Sequence, residues 1–92
     1  MPYDLPLSDG LKQAGWKVKV LDKEPPREEP HVTIFRKQRK WRYGIRRGEF
    51  LDRVPSPRDV PDEVLNAIRA DHANVAAYWD RVHPHNPIGG GA

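Results

Sequence analysis

The chain predicts an α+β single domain spanning residues 1–92: a three- or four-stranded antiparallel sheet with a short N-terminal and a long C-terminal helix on one face, in the order αβββ(β)α. Three observations carry that prediction. Apolar and charged residues alternate with period two through the first half. Apolar residues recur at steps of three and four between Pro61 and Val82. Only 92 residues, 37% of them hydrophobic, are available, too few for a second independent core.

Residues 1–7, with Pro2 and Pro6, form an extended lead-in. Ser8 or Asp9 supplies the N-cap of a two-turn helix through Leu11 and Ala14, and Gly15 is its natural terminator because it tolerates positive φ. From Trp16 to Asp22 the pattern alternates, with Trp16, Val18 and Val20 on one face and Lys17 and Lys19 on the other. That is a half-buried strand. Lys23–Pro30 is an acidic, proline-rich connector.

His31–Arg36 is a second strand, rich in β-branched and aromatic residues, and a turn through Lys37, Gln38 and Arg39 leads to a third at Trp41–Arg46. Glu49–Val54 is a short fourth strand or an extended edge, ended by Pro55 and Pro57. Pro61 opens the last helix, with Asp62 and Glu63 at the positive end of its dipole. Its stripe is Leu65, Ile68, His72, Val75, Trp79 and Val82, with His72 a satisfied core histidine and Trp79 a core plug. A break near Asp71–Asn74 fits, since Asp71 can cap a second segment. Pro84 and Pro87 end the helix, and 84–92, closing on Gly89–Gly91, form a flexible tail.

Zero cysteines exclude a disulfide framework, a thiolate metal site and a cysteine nucleophile. No apolar run is long enough to span a bilayer or to act as a signal peptide. The expectation is a cytoplasmic protein with no membrane partner. The net charge of +3 hides a segregation: residues 11–48 carry 12 Lys or Arg against 4 acids, whereas 49–92 carry 4 against 7. Arg36, Lys37, Arg39, Lys40, Arg42, Arg46 and Arg47 fall in 12 residues without a carboxylate. A solvated face is the plain explanation of such a run. A concentrated patch of one sign nevertheless repels itself and suits a polyanion or an acidic protein.

Strand parity sharpens this. Trp16, Val18, Val20, Val32, Ile34, Trp41, Tyr43 and Ile45 are expected in the core, which sends Lys17, Lys19, His31, Thr33, Phe35, Arg42 and Arg46 to the solvent side of an open sheet. Cations neutralise phosphates with counterion release, and Phe35 offers an unpaired base a stacking surface. The expected binding set is therefore Lys17, Lys19, Phe35, Arg36, Lys37, Arg39, Lys40, Arg42 and Arg46. Its partner is RNA or another nucleic acid or, alternatively, an acidic protein docked by an interaction module such as an antitoxin or inhibitor. A homodimer would also cover the open sheet and its edge.

His31 is the candidate catalyst: a neutral imidazole beside the basic block can act as general base in attack by a ribose 2′-hydroxyl, with Arg42 or Arg46 stabilising the phosphorane. A strand-edge histidine without a role is the alternative. Asp80, His83 and His85 sit close in sequence, but Pro84 and Pro87 interrupt them and spacing places no further strong ligand. No metal and no cofactor are expected. No glycine-rich phosphate cradle and no Ser/His/Asp arrangement are present.

The run Leu11-Lys12-Gln13-Ala14-Gly15-Trp16-Lys17-Val18, followed by His31-Val32-Thr33-Ile34-Phe35-Arg36, resembles the small HicA-type toxins of bacterial toxin–antitoxin systems. The resemblance implies a double-stranded-RNA-binding-like αβββα fold, metal-independent mRNA cleavage through the histidine that opens the second strand, His31 here, and silencing by an antitoxin. In that family Gly-Ser precedes the histidine; here Glu29 and Pro30 do. Pro30-His31-Val32-Thr33, with Trp79 downstream, is similar to a strand reading Pro-Pro-His-x-His in short proteins encoded near toxin–antitoxin loci. Together these lead to the expectation of a small RNA-binding module of bacterial or phage type, a component of a toxin–antitoxin pair.

Overall fold

The structure, a computed structural model, describes residues 3–24 and 28–88; Pro25, Pro26 and Gly89–Gly91 lie outside the described residues. It is an α+β domain whose sheet has the order β1-β2-β3-β4, every neighbouring pair antiparallel. The strands are β1 (Tyr3–Asp4), β2 (Trp16–Val20), β3 (His31–Arg36) and β4 (Arg39–Gly44), and the helices α1 (Asp9–Gln13), α2 (Asp62–Ala70) and α3 (His72–Val82). No helix among the described residues is long and apolar enough to cross a membrane.

Local signals place the first half. Ser8 caps α1 by accepting from the Leu11 N–H at 3.3 Å, and Gly15 turns the chain out of it at φ 94°, a conformation that a side chain disfavours. The β3–β4 hairpin pairs Arg36 with Arg39, leaving Lys37 and Gln38 as the turn, with Lys37 left-handed at φ 57°. All eight residues expected on the core face are buried. They form one cluster with Leu5, Leu11, Val60, Val64, Ile68, Val75, Tyr78 and Trp79. The rings of Trp16 and Trp41 lie 5.6 Å apart. Trp41 donates its indole N–H to the Ser56 carbonyl at 3.0 Å, so a fully buried polar atom keeps a partner.

Three expectations change. The fourth strand is β1 at the N-terminal edge, within the extended lead-in, whereas Glu49–Val54 contributes only a bridge between Tyr43 and Phe50. The Gly44 N–H to the Glu49 carbonyl and the Leu51 N–H to the Arg42 carbonyl hold that segment against β4. A two-residue strand is too short to show a period, and its placement rests on Tyr3, whose ring lies 5.6 Å from that of Tyr78 and whose hydroxyl donates to Asp71.

Second, the C-terminal helix breaks at Asp71, within the expected Asp71–Asn74 stretch, but Asp71 makes no side-chain cap bond to the second helix. The stripe survives the break, with Ile68, Val75 and Trp79 buried on either side of it. His72 becomes the exposed first residue of α3, and Val64 and Tyr78 join the buried set. Third, the tail is tied down as far as Ile88: Asp80 accepts the Ile88 N–H at 2.7 Å, and the Asn86 carbonyl accepts from the Trp79 indole at 2.8 Å.

Burial, reinforced by the Asp71 carboxylate, pushes the Tyr3 phenol up to about 12 from its ordinary 10.0. A folded-state value above the unfolded one means stability that is complete below pH 10 and lost as pH rises through about 12. Tyr3→Phe is expected to cost about 1 kcal/mol at neutral pH. Urea titrations of wild type and variant should converge between pH 10 and pH 12; parallel curves would show that the phenol does not contribute.

Candidate nucleic-acid interface

The sheet face opposite the core is built in cross-strand rows. Lys17 of β2 and Lys40 of β4 both lie directly opposite Phe35 of β3. In the next row Thr33 lies between Lys19 and Arg42, and beyond it His31 faces Gly44. Neighbouring strands are about 4.8 Å apart, so Lys17 and Lys40 flank the Phe35 ring at about 10 Å from one another.

The two ends of this face differ. At the Phe35 end an open groove of ≈ 650 Å³ is lined by Gly15, Lys17, Lys19, Leu21, Phe35 and Lys37, a volume within the range of ligand clefts. Phe35 and Leu21 are its apolar lining, Lys17, Lys19 and Lys37 its cationic lining, and no carboxylate lines it. Lys19 lies 3.3 Å from Asp4; among the described residues Lys17, Lys37 and Lys40 make no ion pair. At the other end His31 and Thr33 are buried, at 2% and 3% exposure, although parity alone sends them to solvent. Glu28 from the connector and Asp52 from beyond β4 both bind Arg42, the neighbour of Thr33.

The nine residues expected to bind therefore divide. Lys17, Lys19, Phe35, Lys37 and Lys40 share one surface. Arg36 and Arg39 take the opposite parity and pack on the core rings, Arg36 at 5.3 Å from the Trp16 centroid and Arg39 at 5.0 Å from that of Trp41. Arg36 also donates to the Ala14 carbonyl, and Arg39 pairs with Asp59. Arg46 lies beyond β4, donating to the Pro87 carbonyl at 2.7 Å with Glu29 at 3.6 Å. Its guanidinium anchors the tail rather than facing a ligand. Leu21 was missed, because its contribution to the groove comes after the end of β2, where the alternation stops.

His31 is not placed as a solvent-facing general base. Its ring is 5.6 Å from that of Trp79, and its Nδ1 lies 2.7 Å from the Glu29 carbonyl. A carbonyl only accepts, so Nδ1 carries a proton, while Nε2 faces Glu24 Oε1 at 3.4 Å. At 1% side-chain exposure the ring does not face solvent as a general base for a ribose hydroxyl needs to. Asp80 and His83 are engaged elsewhere, Asp80 with the tail and His83 through an Nε2–H donated to the Leu21 carbonyl at 2.9 Å.

Arg42 is the electrostatic centre of the closed end. It grips Asp52 through two hydrogen bonds of 3.0 and 2.6 Å, and this pairing holds the Asp52 carboxyl below the usual carboxylate range and raises the guanidinium. A depressed carboxylate adds stability above its unfolded value of about 3.8 that is lost as pH falls below it. Asp52→Asn is expected to cost about 1–2 kcal/mol at pH 7, an amount reduced by partial exposure. Chemical denaturation should show variant and wild type converging as pH drops below 4; a gap that persists in acid would mean that the loss is steric. Set against protein-family models, curated proteins and solved structures, the chain matches none.

Proposed function

We propose that the protein binds single-stranded nucleic acid, RNA in the first instance, at the Phe35 end of the sheet, and we attach to it, on the HicA-type resemblance alone, a place in a toxin–antitoxin pair. The observation that carries the binding reading is the row Lys17–Phe35–Lys40, continued by Lys37 and Lys19 around a groove without acids. A base stacks on the phenyl face, and the flanking ammonium groups take the phosphates on either side. Lys17, Lys37 and Lys40, without a protein counter-ion among the described residues, release bound anions when phosphate replaces them, so their gain is not offset by breaking internal pairs, whereas Lys19 must leave Asp4. The arginines already paired with Asp52, Asp59 and Glu28 lack that advantage. With His31 buried, the face supports binding rather than hydrolysis.

Fluorescence anisotropy with a labelled single-stranded RNA tests this. Affinity is expected to fall with salt at a log–log slope of about −2 to −3, the value for three or four phosphate contacts on a single strand. Phe35→Ala should weaken binding by about 1–3 kcal/mol, Lys17→Ala with Lys40→Ala should flatten the salt slope, and Arg42→Ala should leave that slope unchanged. Absence of binding at low salt, or binding indifferent to Phe35 and the lysines, would overturn the proposal and leave an acidic protein as the partner of this face.

A further inference from the structure

We propose that Glu24, Glu28 and His31 form a binding site for a divalent first-row transition ion such as Zn²⁺. The site is independent of the nucleic-acid reading, since His31 opens β3 and Phe35 lies near its other end.

Four observations converge. One ligand atom from each of the three residues lies within 4.8 Å of the others. The separation of His31 Nε2 and Glu24 Oε1, 3.4 Å, is what a tetrahedral ion imposes on two ligands, because bonds of about 2.0–2.1 Å at the tetrahedral angle put donors about 3.4 Å apart. The imidazole is already oriented as a ligand. Its Nδ1–H is fixed on the Glu29 carbonyl, the second interaction that metal-ligating histidines usually make, and this turns Nε2 toward the Glu24 carboxylate. A carboxylate oxygen facing Nε2 of a 1% exposed imidazole calls for a cation between the two, a proton or a metal ion.

Charge gives the fourth observation. Glu24, Glu28 and Asp52 bring three carboxylates to this corner, where, among the described residues, Arg42 pairs with Glu28 and Asp52 and His31 with Glu24, a surplus of carboxylates that suits a cation. Arg42 binds one oxygen of Glu28 and thereby orients the carboxylate as an outer partner, leaving the second oxygen for the ion. Glu24 and Glu28 keep 13% and 23% exposure, so an ion can enter from solvent. Imidazole with carboxylates suits zinc, cobalt or nickel, whereas magnesium and calcium prefer all-oxygen sets.

Calorimetric titration of the full chain with ZnCl₂, and titration with CoCl₂ followed by visible absorption, test the site. One equivalent is expected to bind, with cobalt d–d bands of a four- or five-coordinate ion, and Zn²⁺ should raise the thermal midpoint by stabilising only the folded chain. Glu24→Gln, a near-isosteric change at a partly exposed position, should weaken binding about 10-fold or more, while His85→Ala on the tail should leave it unchanged. Because His31 packs against Trp79, the His31 ring is followed directly by the ¹⁵N shift of Nε2 on adding Zn²⁺, without mutation. No saturable binding, an Nε2 that stays a protonated partner of Glu24 in the presence of Zn²⁺, or binding kept by Glu24→Gln and lost with His85→Ala would each overturn the proposal.

Discussion

The guanidinium of Arg42 organises the half of the molecule that the core does not. It stands on the sheet face away from the helices and gathers two segments that have no regular structure, the connector at Glu28 and the stretch after β4 at Asp52. Arginine can do this because its planar fork offers donors in fixed directions to more than one carboxylate at once. Once Glu28 and Asp52 are drawn in, Thr33 beside Arg42 is covered and His31 is enclosed by the connector and Trp79. The tail adds to the closure: Asn86 donates to the Glu28 carbonyl, and Arg46 holds the Pro87 carbonyl.

That closure decides the electrostatics of the surface. The basic block and the acidic flanks, separate along the chain, are interleaved in space, with Asp4 on Lys19, Asp59 on Arg39, and Asp52 and Glu28 on Arg42. The charge segregation along the chain is therefore offset in part by pairing across the fold. What stays open is a small corner in which lysines, rather than arginines, surround one aromatic ring. Partly exposed ion pairs of this kind contribute modestly to stability, yet each removes a cation from the set that an external anion could use.

The core was legible because burial on one sheet face imposes strict parity: Trp16, Val18, Val20, Val32, Ile34, Trp41, Tyr43 and Ile45 all lie where alternation puts them. The same parity grouped Lys17, Lys19, Phe35 and Arg42 correctly, with His31 and Thr33 among them, but parity gives a face and not its exposure. Whether a face is open depends on segments that carry no period of their own, here the connector and residues 49–54. His72 fails for a related reason. A stripe at steps of three and four assumes one uninterrupted helix, and the break at Asp71, where the side chain serves Tyr3 and Asn74, turns the junction residue outward while Val75 and Trp79 beyond it stay buried.

Local chemistry in the chain determined the α+β class, the capped α1 and its glycine terminator, the β3–β4 hairpin and the membership of the core, because each depends on neighbours within a few residues or on a repeating apolar pattern. Tertiary structure alone decided that Tyr3–Asp4 forms an edge strand, that His31 is enclosed with Glu24 and Glu28, and that on the sheet face, among the described residues, Lys17, Lys37 and Lys40 stay without an ion pair while Arg42 is paired. Those outcomes rest on ion pairs and hydrogen bonds between residues as far apart as Tyr3 and Asp71 or Arg46 and Pro87. A charge in sequence has a sign but no partner until the chain folds back and brings one within reach.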